Sequence, residues 1–172
     1  MRVTYNREMK VKEHLDSLGM ETFIPMRYKI VGNGSTRKRM LVPAIHNLIF
    51  VKSTRENLTL LKQTVKQLEP LRFFITPPNS ERNSEILRVP NRQMENFMRV
   101  ASVQDDSVFF LQPGDYINKV GRRVRITQGF FAGVEGVVKR IKSNRHVVVQ
   151  MEGVAAVAIA YVPNNYIATI NE

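Results

Sequence analysis

Apolar residues recur at helical spacing near the start of the chain. Val11, Leu15 and Leu18 fall on one face between Arg7 and Leu18, with Asn6 as the expected N-cap and Gly19 as the residue that ends the helix. The segment ETFIPMRYKI then reads as a strand, Gly32-Asn33-Gly34 as a hairpin turn, and RKRMLV as the returning strand. NLIFVKS is a nearly continuous apolar run, the mark of a strand buried on both faces. Ser53 to Glu56 has the form of a capping box, and Leu58, Leu61, Val65 and Leu68 follow along one helix face up to Pro70. LRFFITPP reads as one more strand. A third helix follows through Met94, Phe97, Met98 and Ala101, with Pro90 suited to its first turn. The order β-α-β-β-β-α-β-α predicts an α+β sandwich in which helices cover one face of a mostly antiparallel sheet.

The texture changes after Ser102. VQDDSVFFLQPGDYINKV reads as a connector with a Pro113-Gly114 turn. Beyond it RRVRIT, EGVVKRI, HVVVQM, VAAVAIAYV and YIATI are short strands separated by turn residues. Five such strands in so short a stretch predict a small β-barrel. The expected domains are residues 1–104, a linker over 105–119, and a barrel over 120–172.

The run GRRVRITQGFFAGVEGVVKRI holds four of the nine glycines. A phosphate-binding loop needs a lysine and a hydroxyl after its last glycine, and a dinucleotide fingerprint needs a helix there; this run has neither. Glycine is expected here where the backbone takes positive φ or approaches a neighbouring strand closely. Two successive phenylalanines, Phe130 and Phe131, point to opposite sides of the turn. At least one is therefore expected to face solvent as a contact for protein or nucleobase.

Charge narrows the function. Lys and Arg number 26 against 15 Asp and Glu, and residues 1–104 hold 18 of the basic and 9 of the acidic residues, so the excess there is +9 of +11. A polyanion, nucleic acid above all, is the expected partner. With no cysteine and three scattered histidines, neither a thiol nucleophile nor a metal site is expected. Asp105-Asp106 has no neighbouring base, and no Ser/His/Asp order is seen, so neither an enzyme nor a cofactor is expected. No run reaches the ~18 apolar residues of a membrane span, and the first residues lack a signal-peptide core, so a cytoplasmic protein is expected.

The segment VGRRVRITQGFFAGVEGVVKRI resembles a KOW motif, with its basic entry strand, glycine-framed turn and apolar exit strand. KVKEHLDSLGMETFIPMRY, RKRMLVPAIHNLIFVKS, LRFFITPP and ILRVPNRQMENFM resemble, in order, successive parts of the NusG N-terminal (NGN) domain. The chain is thus similar to NusG-family transcription elongation factors, and most to antiterminator paralogues of the RfaH and UpxY type. Ile45-His46-Asn47-Leu48 stands where the family has approximately Phe-Pro-Gly-Tyr. The family's opening Trp-Tyr pair is missing, so a shortened central strand is expected.

The resemblance implies an NGN-type α/β sandwich with three helices and a five-stranded SH3-like KOW barrel. It implies a monomeric bacterial factor that binds the clamp of elongating RNA polymerase and promotes readthrough of pauses or terminators at specific long operons such as polysaccharide loci. Ile45, Leu48, Phe74 and Ile75 would meet the polymerase. Arg7, Lys10, Lys12 and His14 on the first helix would face non-template DNA or nascent RNA, with Arg37, Lys38 and Arg39 on the hairpin arm. Phe130, Phe131 and Val134 would meet a KOW partner, the termination factor Rho or a small-subunit ribosomal protein. A KOW-containing ribosomal or RNA-binding protein is the rival reading; it shares the charge and the barrel but leaves the N-terminal α+β domain unexplained.

Overall fold

The computed structural model describes residues 1–76, 83–111, 121–151 and 153–170. In chain order, β1 (Arg2–Val3), α1 (Glu8–Ser17), β2 (Glu21–Phe23), β3 (Met26–Val31), β4 (Lys38–Pro43) and β5 (Phe50–Lys52) precede α2 (Arg55–Thr64). Then come β6 (Leu71–Arg72), β7 (Ile75–Thr76), β8 (Glu85–Ile86) and α3 (Asn91–Ala101). The remaining strands are β9 (Val108–Phe110), β10 (Arg122–Ile126), β11 (Glu135–Ile141), β12 (Asn144–Met151), β13 (Ala155–Ile159) and β14 (Ile167–Thr169). The chain divides into two compact units, Met1–Pro25 with Pro43–Arg88, and Met26–Val42 with Val89–Glu172.

In the first unit β1 is hydrogen-bonded on both sides. Arg2 and Val3 stand opposite Arg72 and Leu71 of β6. On the other edge Arg2 bridges Leu48, the Met1 nitrogen donates to the Ile49 carbonyl at 2.6 Å, and the Val3 N–H donates to the Asn47 carbonyl at 2.9 Å. Next along the chain from Leu48, β5 pairs antiparallel with β2. Val3, Val11, Leu15, Leu48, Ile49, Leu68 and Leu71 form the buried apolar interior.

Helix α1 follows its predicted period at Val11 and Leu15, which are buried, while Leu18 stands exposed at the C-cap, and Gly19 at φ +71° accepts the turn that ends the helix. Its start differs from expectation: Asn6 has φ +51°, so Arg7 occupies the N-cap position and offers no side-chain cap. The cap of α2 is Thr54, one residue after the predicted Ser53, and its hydroxyl accepts the Asn57 N–H at 3.2 Å. ETFIPMRYKI is two strands, broken at Ile24-Pro25, because proline has no N–H for a ladder. Pro77-Pro78 lies outside the described residues.

The second unit holds a six-stranded antiparallel sheet in the order β14-β10-β11-β12-β13-β9. The five predicted strands are all present. A sixth, β9, comes from the segment expected to be a connector, where Val108, Phe109 and Phe110 pair with Ile159, Ala158 and Val157. An apolar, β-prone tripeptide there satisfies backbone groups that β13 would otherwise leave open at an edge. Pro113-Gly114 lies outside the described residues.

Helix α3 also differs from the expected arrangement, since it belongs to this second unit and packs against β9, β12 and β13. Phe97, Val100 and Ala101 are its fully buried residues. All five residues of β13 are buried, and Ala156 and Ala158 pack with Leu111, Ile141 and Val148 in one apolar cluster.

The glycine run does two jobs. Gly129 and Gly133 stand at φ +81° and +90° and frame the turn between β10 and β11, where a side chain would be strained. Gly136 has no such φ; a Cβ there would lie 2.7 Å from the Val148 carbonyl oxygen of the neighbouring strand. Gly136→Ala is therefore expected to force β11 and β12 apart and destabilise the chain by about 2 kcal/mol. Gly153→Ala, where a Cβ meets open space, is expected to cost only the strain of its φ, about 1 kcal/mol. Chemical denaturation of both variants measures the difference.

Candidate nucleic-acid and protein interfaces

The basic residues of α1 separate by helical phase. Arg7, Lys10 and His14 recur at three and four residues, so they share one face, and all three are exposed. Among the described residues none of the three has a salt bridge. Lys12 lies on a different face and is already used: its ammonium is 2.8 Å from Asp16 and 2.9 Å from the Thr22 hydroxyl. The hydrogen bond from Lys12, joined by one from Thr22 at 2.6 Å, holds the Asp16 carboxyl below its ordinary range. Lys12 thus fastens α1 to β2, off the face shared by Arg7, Lys10 and His14.

The β3–β4 ribbon carries Arg27, Lys29, Arg37, Lys38 and Arg39, and no acidic residue occurs from Thr22 to Arg55. The Arg39 guanidinium lies over the Tyr28 ring at 4.0 Å from its centroid. Strand alternation then sets Tyr28, Ile30, Arg39 and Leu41 on one face, with Arg27, Lys29, Lys38 and Met40 on the other. Tyr28, Ile30, Met40 and Leu41 are all exposed. Of the predicted arm residues, Arg39 is held on the aromatic while Lys38 faces the opposite way.

The predicted apolar set also divides. Ile75 is 63% exposed, Ile45 and Phe74 are half-buried, and Leu48 is 2% exposed. Leu48 is a core residue bridged to β1 and gives no surface to a partner. Strand β1 separates the segment carrying Ile45 and Leu48 from the one that leads through β6 to Phe74 and Ile75. Beside Ile45, His46 approaches the buried Glu8 carboxylate with its Nδ1 at 3.7 Å.

The turn of the second unit displays Phe130 at 74% exposure, with Phe131 edge-on to it at 5.1 Å between centroids. Val134 is fully buried, so it anchors the turn and meets no partner. From α3, Arg99 donates to the Ala132 carbonyl at 2.7 Å and to the Phe130 carbonyl at 2.9 Å. Seven residues before it, Arg92 reaches Glu135 at 2.5 Å, and Arg125 meets the same carboxylate at 2.6 Å. Sequence reasoning misses this clasp; two arginines seven apart on an amphipathic helix, hence on one face, are the available signal.

Among the described residues no three acidic or histidine side chains are grouped to hold a metal ion, and no helix is long and apolar enough to cross a membrane. A family model described as transcription termination factor nusG matches residues 1–98. No curated protein sequence matches the chain.

Glu135 gives a pH test of the clasp. The hydrogen bond from Arg125, aided by the charges of Arg92, Arg125 and Arg123, holds its carboxyl below the ordinary range, and partial burial opposes them. A lowered folded value means the stabilisation is full above the unfolded carboxylate value of about 4.3 and is lost as pH falls through the folded value. Glu135→Gln should thus be less stable than the parent at pH 7 by about 1 kcal/mol, with the gap narrowing as pH falls below the unfolded carboxylate value, as read by urea unfolding across that range.

Proposed function

Because the chain belongs to the NusG family, whose model spans 98 of its 172 residues, we propose that it is an antitermination factor acting on elongating RNA polymerase. Members of that family are non-enzymatic transcription factors that bind RNA polymerase. The finer reading is that this chain promotes readthrough of pauses or terminators at specific long operons, polysaccharide loci among them.

One observation carries the nucleic-acid part. Arg7, Lys10 and His14 align on an exposed face of α1, while Lys12, the member out of phase, is engaged with Asp16. The charges of Arg7 and Lys10, without an ion-pair partner among the described residues, favour phosphate, and non-template DNA is the single strand that an elongating polymerase exposes. In the second unit the ribbon offers Arg27, Lys29 and Lys38 on one face, a further electrostatic surface for a phosphate backbone. Exposed Ile75, with half-buried Ile45 and Phe74, supports an apolar contact with the polymerase clamp. Phe130, edge-on to Phe131 and fixed by Arg99, suits a protein partner of the KOW-like domain, with Rho and a small-subunit ribosomal protein as the two expected ones.

The test is readthrough of a terminator by reconstituted elongation complexes. The parent chain is expected to co-purify with the complex and raise readthrough. Ile75→Asp should abolish both. Lys10→Ala/His14→Ala should keep polymerase binding, lower readthrough, and flatten the salt dependence by about one unit of slope for each phosphate that the variant no longer touches. A parent chain that ignores the elongation complex but binds naked RNA tightly would move the assignment to an RNA-binding protein.

A further inference from the structure

Three residues around the β1–α1 turn stand at positive φ without being glycine: Tyr5 at +63°, Asn6 at +51° and Asn47 at +61°. Asparagine tolerates that region; tyrosine does not, and the strain costs on the order of 1 kcal/mol or more. Burial does not offset it, because Tyr5 is 81% exposed. The conformation is fixed from the neighbouring loop, where the Asn47 side-chain oxygen accepts the Asn6 N–H at 2.9 Å. Arg7 sets its guanidinium 5.3 Å from the centre of the Tyr5 ring. The turn therefore holds a large aromatic ring out in water, at the start of the helix that carries Arg7, Lys10 and His14.

A ring on a locked turn, with cations beside it, matches a ligand that has both a flat π-face and negative charge. An unpaired nucleotide has both. Its base can stack on the ring face that Arg7 leaves open, and its phosphate can reach the cations of α1. We propose that Tyr5 is the stacking platform for an unpaired base of a single strand lying along α1. This rests on the reading of α1 as a nucleic-acid face. Single-stranded DNA and RNA share the required chemistry.

The experiment measures binding of fluorescein-labelled dT12, rU12 and an abasic deoxyribose-phosphate 12-mer to the full chain at low salt. Tyr5→Gly is the informative variant, because glycine takes the same φ without strain and keeps the fold. It should unfold at the same or a higher temperature than the parent, yet bind dT12 or rU12 about tenfold more weakly. The abasic strand should bind the parent and the variant equally, and Tyr5→Phe should retain parental affinity. The tighter of dT12 and rU12 names the source of the base.

Equal binding of dT12 and rU12 by the parent and Tyr5→Gly overturns the stacking role and leaves the α1 face standing. An equal drop in affinity on the abasic strand assigns Tyr5 to phosphate binding or to folding, and overturns it too. If the parent binds none of the three strands, both the platform and the α1 reading fall.

Discussion

The first unit hangs on the backbone of three residues. Met1 to Val3 exchange hydrogen bonds with Asn47 and Ile49 on one edge and face Leu71 and Arg72 on the other. Side chains add little to this strand beyond buried Val3; its hold comes from N–H and C=O groups that must be paired once out of water. Everything of functional interest in the unit is placed from it. Tyr5 and α1 leave from its end, Ile45 and His46 precede one neighbour, and Phe74 and Ile75 follow the other.

The charge excess is less available than its sum suggests. Lys12 is held by Asp16, Arg92 and Arg125 share Glu135, and Arg99 is bound to two carbonyl oxygens. These cations work inside the protein, fastening helix to strand or helix to turn. The exposed Arg7 and Lys10 of the α1 face lack a salt bridge among the described residues, and the ribbon lies in a long acid-free stretch that leaves it no acidic sequence neighbours. Net charge points to a kind of partner, while geometry decides which residues can meet it.

Periodicity and turn chemistry make much of this legible in the sequence. The three helices and the five C-terminal strands follow from apolar spacing, though the second helix ends at Thr64 where its pattern runs on to Leu68, and the glycine run reads as turn and close approach, which Gly133 and Gly136 respectively satisfy. Where the resemblance expects glycine, Asn47 takes the left-handed φ that glycine would. Tertiary context accounts for the misses. Leu48 and Val134 read as surface residues, because an apolar letter does not say whether its face is inside or outside. Strand β9 is only three residues long, too short for alternation to mark it, and pairs along the edge of β13. The docking of α3 on the β sheet brings together elements more than forty residues apart in sequence, β12 and β13 among them, which no local pattern reveals.

That docking has a bearing on how such proteins can be recombined. The obvious place to join halves from two relatives is the segment after α3, where helices give way to strands. A chimaera cut there would separate Arg92 and Arg99 from the carboxylate and carbonyls they hold, and strip the cover from β13. Keeping the helix with its sheet needs a seam before it, between Arg88 and Val89, and Met26–Val42 would have to be exchanged along with the C-terminal part, because that ribbon belongs to the same unit. Interchangeable parts, in this chain, do not begin where the sequence changes its texture.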